Sequence, residues 1–274
     1  MIIFAAVNLR GEVQPQAPEG LLKGTYVLNQ TFSDEFENGF NASKWYDFYP
    51  TWNGRDGMFF FDRKNVSVKD GKLVLAARAE DSEKATPELK YEGKDKFSTA
   101  AVRSKTRICY GFFESKFKVM NAQVCNAFWL NDPVDPPKKY RPGNRIEEID
   151  IFEIFGKCDS ASDMHKVFAM NTHMGATPYI ESKVWLEHAS VGYKLPVNTN
   201  FAAEYHTAGF LWTPEKLVWL LDGKVVYELE NKFFHRPLYL NFDCEVMKWV
   251  GFPDSADLPA EYSVEYVRVW QLKK

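Results

Sequence analysis

Three carboxylates fall within six residues at Glu148-Ile149-Asp150-Ile151-Phe152-Glu153, and every position between them holds a large apolar side chain. Side chains alternate faces along a β-strand, so this spacing fits a strand with one acidic face and one face on a core. Strict alternation puts Glu148 and Asp150 together and sends Glu153 to the opposite face. One inserted residue corrects the mismatch. A β-bulge at Ile151 or Phe152 absorbs a position and returns Glu153 to its partners, and bulges favour functional sites. Three acids that close cannot all ionise freely, so at least one pKa rises and a protonated acid sits beside an ionised carboxylate near neutral pH.

The rest of the chain supplies the sheet around this strand. Asn65 to Arg78 reads as two apolar or β-branched runs about Asp70-Gly71, and Lys216 to Leu229 repeats the scheme about Asp222-Gly223. Both patterns predict hairpins. Tyr110 to Val119 alternates, with Phe113, Phe117 and Val119 on one face and Glu114, Lys116 and Lys118 on the other, which predicts a wet face. Tyr262 to Leu272 is a further strand, and Ser255 to Glu261 has room for one helical turn. No longer segment keeps a 3.6-residue period. The expected fold is all-β: a jelly-roll β-sandwich of two antiparallel sheets with a concave substrate cleft. Residues 79–96 and the proline-rich 131–145 read as loops, the second feeding directly into the acidic strand. Residues 1–22 are expected to form an N-terminal arm and 23–274 a single catalytic domain, since one β-sandwich can occupy a chain of 274 residues.

Composition narrows the partners. A formal charge of −3 with 26% charged residues gives no global field for nucleic acid, so any anionic ligand needs a local patch. Aromatic residues make up 16% of the chain, enough that some rings are expected to face a ligand while most Phe fill the core. Cys109, Cys125, Cys158 and Cys244 match no zinc spacing, and a disulfide among them is not readable from sequence. Met1 to Val7 is apolar, but too short to span a bilayer and without a basic flank, so membrane insertion is not expected.

Several landmarks in order resemble glycoside hydrolase family 16, retaining endo-β-glycanases that include laminarinases, agarases, porphyranases and κ-carrageenases. Phe32-Ser33-Asp34-Glu35-Phe36 with Lys44-Trp45 is similar to the family's opening segment, Tyr110-Gly111-Phe112-Phe113-Glu114 to an internal strand, and Ala127-Phe128-Trp129-Leu130 to the strand before the acidic one. Glu148 to Glu153 resembles its bulged E-x-D-x-x-E signature; Tyr205-His206-Thr207 through Trp212, and Tyr266 to Trp270, complete the series. The resemblance implies that Glu148 is the nucleophile, Glu153 the acid/base, and Asp150 the residue that tunes Glu148. A retaining mechanism wants two carboxyls about 5–5.5 Å apart, which a bulged concave strand can supply. Glu147 should face away, and His173 is equally open as a core residue or a substrate contact.

Sugar rings stack on aromatic platforms, which nominates Trp52, Trp129 and Trp249. Trp52-Asn53-Gly54-Arg55 resembles what agarases and porphyranases carry at one end of the cleft, so Trp52, Asn53 and Arg55 are candidate substrate contacts, with Arg55 suited to a sulfate oxygen pair. Lys138, Lys139, Arg141 and Arg145 form a second basic cluster, from which Arg145 is a candidate, and Glu245 is placed in the cleft. The expected activity is hydrolysis of β-1,4 linkages in the sulfated red-algal galactan porphyran, with agarose as the rival substrate. A sandwich that binds glycans without cutting them, and a metal-dependent hydrolase, are the readings from other classes. No cofactor is required on this reading, and no ligand set for a structural Ca²⁺ is convincing. The expected partner is the polysaccharide alone, the protein a monomer, and its location secreted, periplasmic or cell-surface because the substrate is an extracellular polymer.

Overall fold

The computed structural model describes residues 13–55, 58–80, 96–132, 145–159, 162–176 and 186–273. Among the described residues the strands form two sheets, of eleven and seven strands. Every pairing is antiparallel except Phe59–Phe61 with Lys96–Thr99. The smaller sheet runs Leu186–Pro196, Val167–Ala176, Arg145–Phe155, Cys125–Asp132, Leu238–Glu245, Ala101–Ile108, Trp45–Tyr46. In the larger, Gly111–Lys118 lies between His206–Trp212 and Ala260–Leu272. Both expected hairpins form, with Asp70 and Gly71 at φ 49° and 68° and Asp222 and Gly223 at 49° and 73°. Two successive positive φ values give a turn whose twist matches that of the flanking strands. The helical turn is a short 3-10 segment, Ser255–Asp257.

Alternation along the strands builds the core. Ile149, Phe152 and Ile154 turn inward from the acidic strand and are wholly buried. Phe152 stacks on Phe117 of the opposite sheet at 4.2 Å between ring centroids, and Phe128 stacks on Phe242 at 4.6 Å. Each ring contributes roughly 1.5–3 kcal/mol through burial, and each ring pair about 0.5–1.5 kcal/mol more. The sheets are also tied by a polar bond through the core, where Trp219 Nε1 donates to the main-chain carbonyl of Asp150 at 3.0 Å.

The expected wet face of Gly111–Lys118 is covered over much of its length. Glu114 is fully buried, and Phe112 on the same face packs with Leu211, Val218, Leu220 and Trp270. The N-terminal segment explains the difference, because Val13, Ala17, Leu21 and Leu22 lie over that cluster as a third layer. The Gln16 N–H donates to Glu114 Oε2 at 2.6 Å, and Tyr266 Oη donates to Oε1 at 3.0 Å. Lys116 and Lys118 stay partly exposed. From residue 13 onward, then, the segment assigned to the arm is packed against the sandwich.

Candidate active site

The bulge falls at Ile151. Across Cys125–Asp132, Phe152 pairs with Phe128 while Asp150 pairs with Trp129, so Ile151 is the inserted position. Glu148 then stands opposite Asn131, Asp150 opposite Trp129, and Glu153 opposite Ala127, all on the face turned from the core. On the other flank, Glu148 faces His173, Asp150 faces Asn171, and Glu153 faces Ala169. One strand further, Asp243 lies opposite Ala127 and Glu245 opposite Cys125. Five carboxyls therefore share one patch of sheet.

Their contacts differ. His173 Nε2 lies 3.2 Å from Asp150 Oδ2 and 3.9 Å from Glu148 Oε1, and 3.0 Å from Asn171 Nδ2. Asp243 Oδ2 accepts from Tyr49 Oη at 2.7 Å and Trp129 Nε1 at 3.1 Å. Arg55 Nε donates to Glu245 Oε2 at 2.8 Å. The Cys125 thiol sits 3.8 Å from Glu153 Oε1.

Burial and mutual repulsion push these acids upward. Glu148 is raised to about 8, first by burial and next by the charge of Asp150, with His173 opposing. Solvent meeting the exposed 31% of the Glu148 side chain weakens the burial contribution and leaves that of Asp150. Asp150 is held well above the usual carboxylate range by burial, then by Glu153 and Glu245. Glu153 is raised by burial and by Glu245, against the pull of His173 and Arg55. Burial and Glu245 likewise raise Asp243. So tight a group loses its protons as a coupled set, above the ordinary carboxylate range.

The other candidates are spread along the same region. Trp52 is half-buried, stacked on Tyr49 at 5.6 Å, with the Arg55 guanidinium 5.4 Å from its ring. Asn53 is exposed beside it. Trp249 is 62% exposed, edge-on to Phe155 and beneath Lys194. Trp129, at 7% exposed, is no open platform: it lies on a central strand, edge-on to Tyr49, and acts as floor and as hydrogen-bond donor to Asp243. Arg145 begins the acidic strand, opposite Ala176; its side chain, like Lys138, Lys139 and Arg141, lies outside the described residues. Glu147 faces away, buried and bonded by Arg236 Nε at 3.0 Å. The four cysteines are free thiols.

Sequence reading missed Tyr49, Arg103 and Cys125. Arg103 lies against the faces of Tyr49 and Tyr239 and donates to Asn241 and Asn131. Cys125 was legible, since alternation puts it on the face of Ala127, Trp129 and Asn131; Tyr49 comes from a segment with no periodic signal. Glu148, Asp150 and His173 bring donor atoms within 4.8 Å of one another, the one such cluster among the described residues. It coincides with the acids of the bulge.

Known proteins share both the sequence pattern and the fold of this chain. The family described as Beta-porphyranase A-D, GH16 domain, matches residues 26–272. Beta-porphyranase E of Zobellia galactanivorans is 27% identical over 88% of this chain and 84% of its own length. Kappa-carrageenase of Pseudoalteromonas carrageenovora is 24% identical over 98% of this chain and 70% of its own. Among solved structures, porphyranase B from Zobellia galactanivorans superposes with a TM-score of 0.77 at 22% identity, covering 95% of this chain and 99% of that one.

Proposed function

Because the chain belongs to glycoside hydrolase family 16, in the group of β-porphyranases A–D, we propose that it is an endo-acting hydrolase of β-1,4 linkages in the sulfated galactan porphyran, working with retention of configuration. The observation that supports this reading is the bulge at Ile151, which gives Glu148, Asp150 and Glu153 one face. In this mechanism Glu148 attacks the anomeric carbon while Glu153 protonates the departing glycosidic oxygen. A covalent glycosyl–enzyme forms. Water then enters, Glu153 takes its proton, and the bond to Glu148 breaks with a second inversion. Asp150 acts on Glu148 through its charge, and His173, 3.2 Å from Asp150 and 3.9 Å from Glu148, orients the pair. Trp52 and Trp249 offer ring faces to the polymer, while Asn53, Arg55 and Arg145 are the proposed polar contacts.

Sulfate recognition is assigned to Arg55, whose side chain stays 45% exposed although its Nε is taken by Glu245. That same pairing favours a second reading, an agarase, because a neutralised guanidinium attracts an anion less. Initial rates on porphyran and on desulfated agarose separate the two: faster cleavage of porphyran is expected, and equal rates or activity on agarose alone would overturn the sulfate assignment. Glu148→Ser and Glu153→Ala should each lower turnover by about a thousand-fold or more while polymer binding persists. Retained turnover in either would reject the roles. The polymeric substrate argues for action outside the cell. No helix among the described residues is long and apolar enough to cross a membrane. The protein is proposed to act as a monomer without a cofactor.

A further inference from the structure

Glu245 is poorly built for touching a sugar. Only 8% of its side chain is exposed, and its Oε2 is occupied by Arg55 Nε at 2.8 Å. It stands directly across from Cys125, whose thiol lies 3.8 Å from Glu153 Oε1. A compact thiol thus separates the two carboxyls, with Ala127 as the neighbouring small residue between Asp243 and Glu153. We propose that Glu245, held ionised by Arg55, is a positioning residue whose fixed negative charge keeps the proton of Glu153 in place until the leaving oxygen takes it.

The proposal rests on Glu153 being the acid/base. Groups from every neighbouring element bear on that residue: Glu148 and Asp150 from its own strand, Cys125 from one flank, and His173 from the other. Lys194 follows one strand further out, opposite Ala169, and Asp243 and Glu245 stand beyond Cys125–Asp132. Burial raises Glu245 too, but the Arg55 cation at 2.8 Å opposes that rise, and among the acids of this patch Glu245 is the one in an arginine ion pair, so it keeps its charge more readily than Asp243 does. Glu245 is also the largest charged influence on Glu153, acting to raise it. Asp243, bonded by Tyr49 and Trp129 and in no direct ion pair among the described residues, is held well above the usual carboxylate range by burial and then by Glu245, and is the neighbour that more readily holds a proton.

The test is the pH dependence of kcat on one polymer for the wild type, Glu245→Gln, and the double variant Arg55→Met/Glu245→Gln, with melting curves alongside. The alkaline limb of kcat reports the acid in the substrate complex. In Glu245→Gln it should move down by roughly one pH unit or more, because a negative neighbour is lost and the Arg55 cation is left uncompensated. Removing that cation too should bring the limb part of the way back. A limb unmoved in both variants, with only KM raised, would overturn the proposal and make Glu245 a sugar contact. If the single variant does not fold, the double variant decides, and an unmoved limb there is the overturning result. Failure of the underlying reading is seen separately, as full turnover in Glu153→Ala.

Discussion

At the scale of single residues, the chemistry of each acid around the bulge depends on what its carboxyl touches. Hydrogen-bond partners such as Tyr49 and Arg103 come from distant segments, and the burial of Trp129 follows from its place on a central strand. The electrostatics lead to a measurable expectation. On the proposed mechanism Glu148 attacks as the carboxylate, and burial first and the charge of Asp150 next raise it from 4.5 to about 8. The acid limb of kcat/KM should therefore lie well above the ordinary carboxylate range. His173 acts in the opposite sense on Glu148, so His173→Gln should shift that limb further upward and lower the rate near neutral pH. A limb that stays fixed in the variant would remove His173 from the tuning of Glu148.

Glu114 is a second residue with a pH signature, and it lies on the far sheet from the acids. Burial raises it from 4.5 to about 7, against the opposing hydrogen bonds of Gln16 and Tyr266. The folded protein thus holds that proton more tightly than the unfolded chain does. Its contribution to stability is complete below about pH 4.5 and is lost as pH rises to about 7, on the order of 3 kcal/mol in all. Glu114→Gln keeps an acceptor for the Gln16 N–H and turns its amide N–H toward Tyr266 Oη, reversing the bond that Tyr266 donates, and with no proton to lose it should flatten the pH dependence of the unfolding free energy across that window. Denaturant melts at pH 4.5 and pH 7 check this.

Among the elements, hairpins and alternating strands were legible because their signals are local: Asp-Gly turns and a period of two. The bulge was legible because charge spacing broke that period. The covering of Gly111–Lys118 was not, since a segment about a hundred residues earlier in the chain supplies it and alternation describes only the strand itself. A turn-level prediction follows from the backbone. Gly223 has φ 73°, where a side chain with a β-branch is strained, so Gly223→Val should destabilise the protein by about 1–2 kcal/mol. Its hairpin belongs to the larger sheet, so turnover per folded molecule should be unchanged. Denaturant midpoints and initial rates measured together distinguish that outcome from a coupled loss.

For the molecule as a whole, three layers matter: an acidic sheet, a second sheet behind it, and the N-terminal segment behind that. Beginning the protein at residue 23 would uncover the cluster of Phe112, Leu211, Leu220 and Trp270 and leave Glu114 without its Gln16 donor. The expected cost is about 3 kcal/mol, from the apolar burial given up by Val13, Ala17, Leu21 and Leu22. A lowered melting temperature with the catalytic rate retained below the transition is the result to look for.

The bond from Trp219 to the Asp150 carbonyl has a wider implication. It fastens the acidic strand from beneath, through an indole of the opposite sheet, so the main chain that carries the acids is anchored from the side away from the cleft. On the proposed function, a change in the rim segments that alters the choice of glycan leaves that anchor in place.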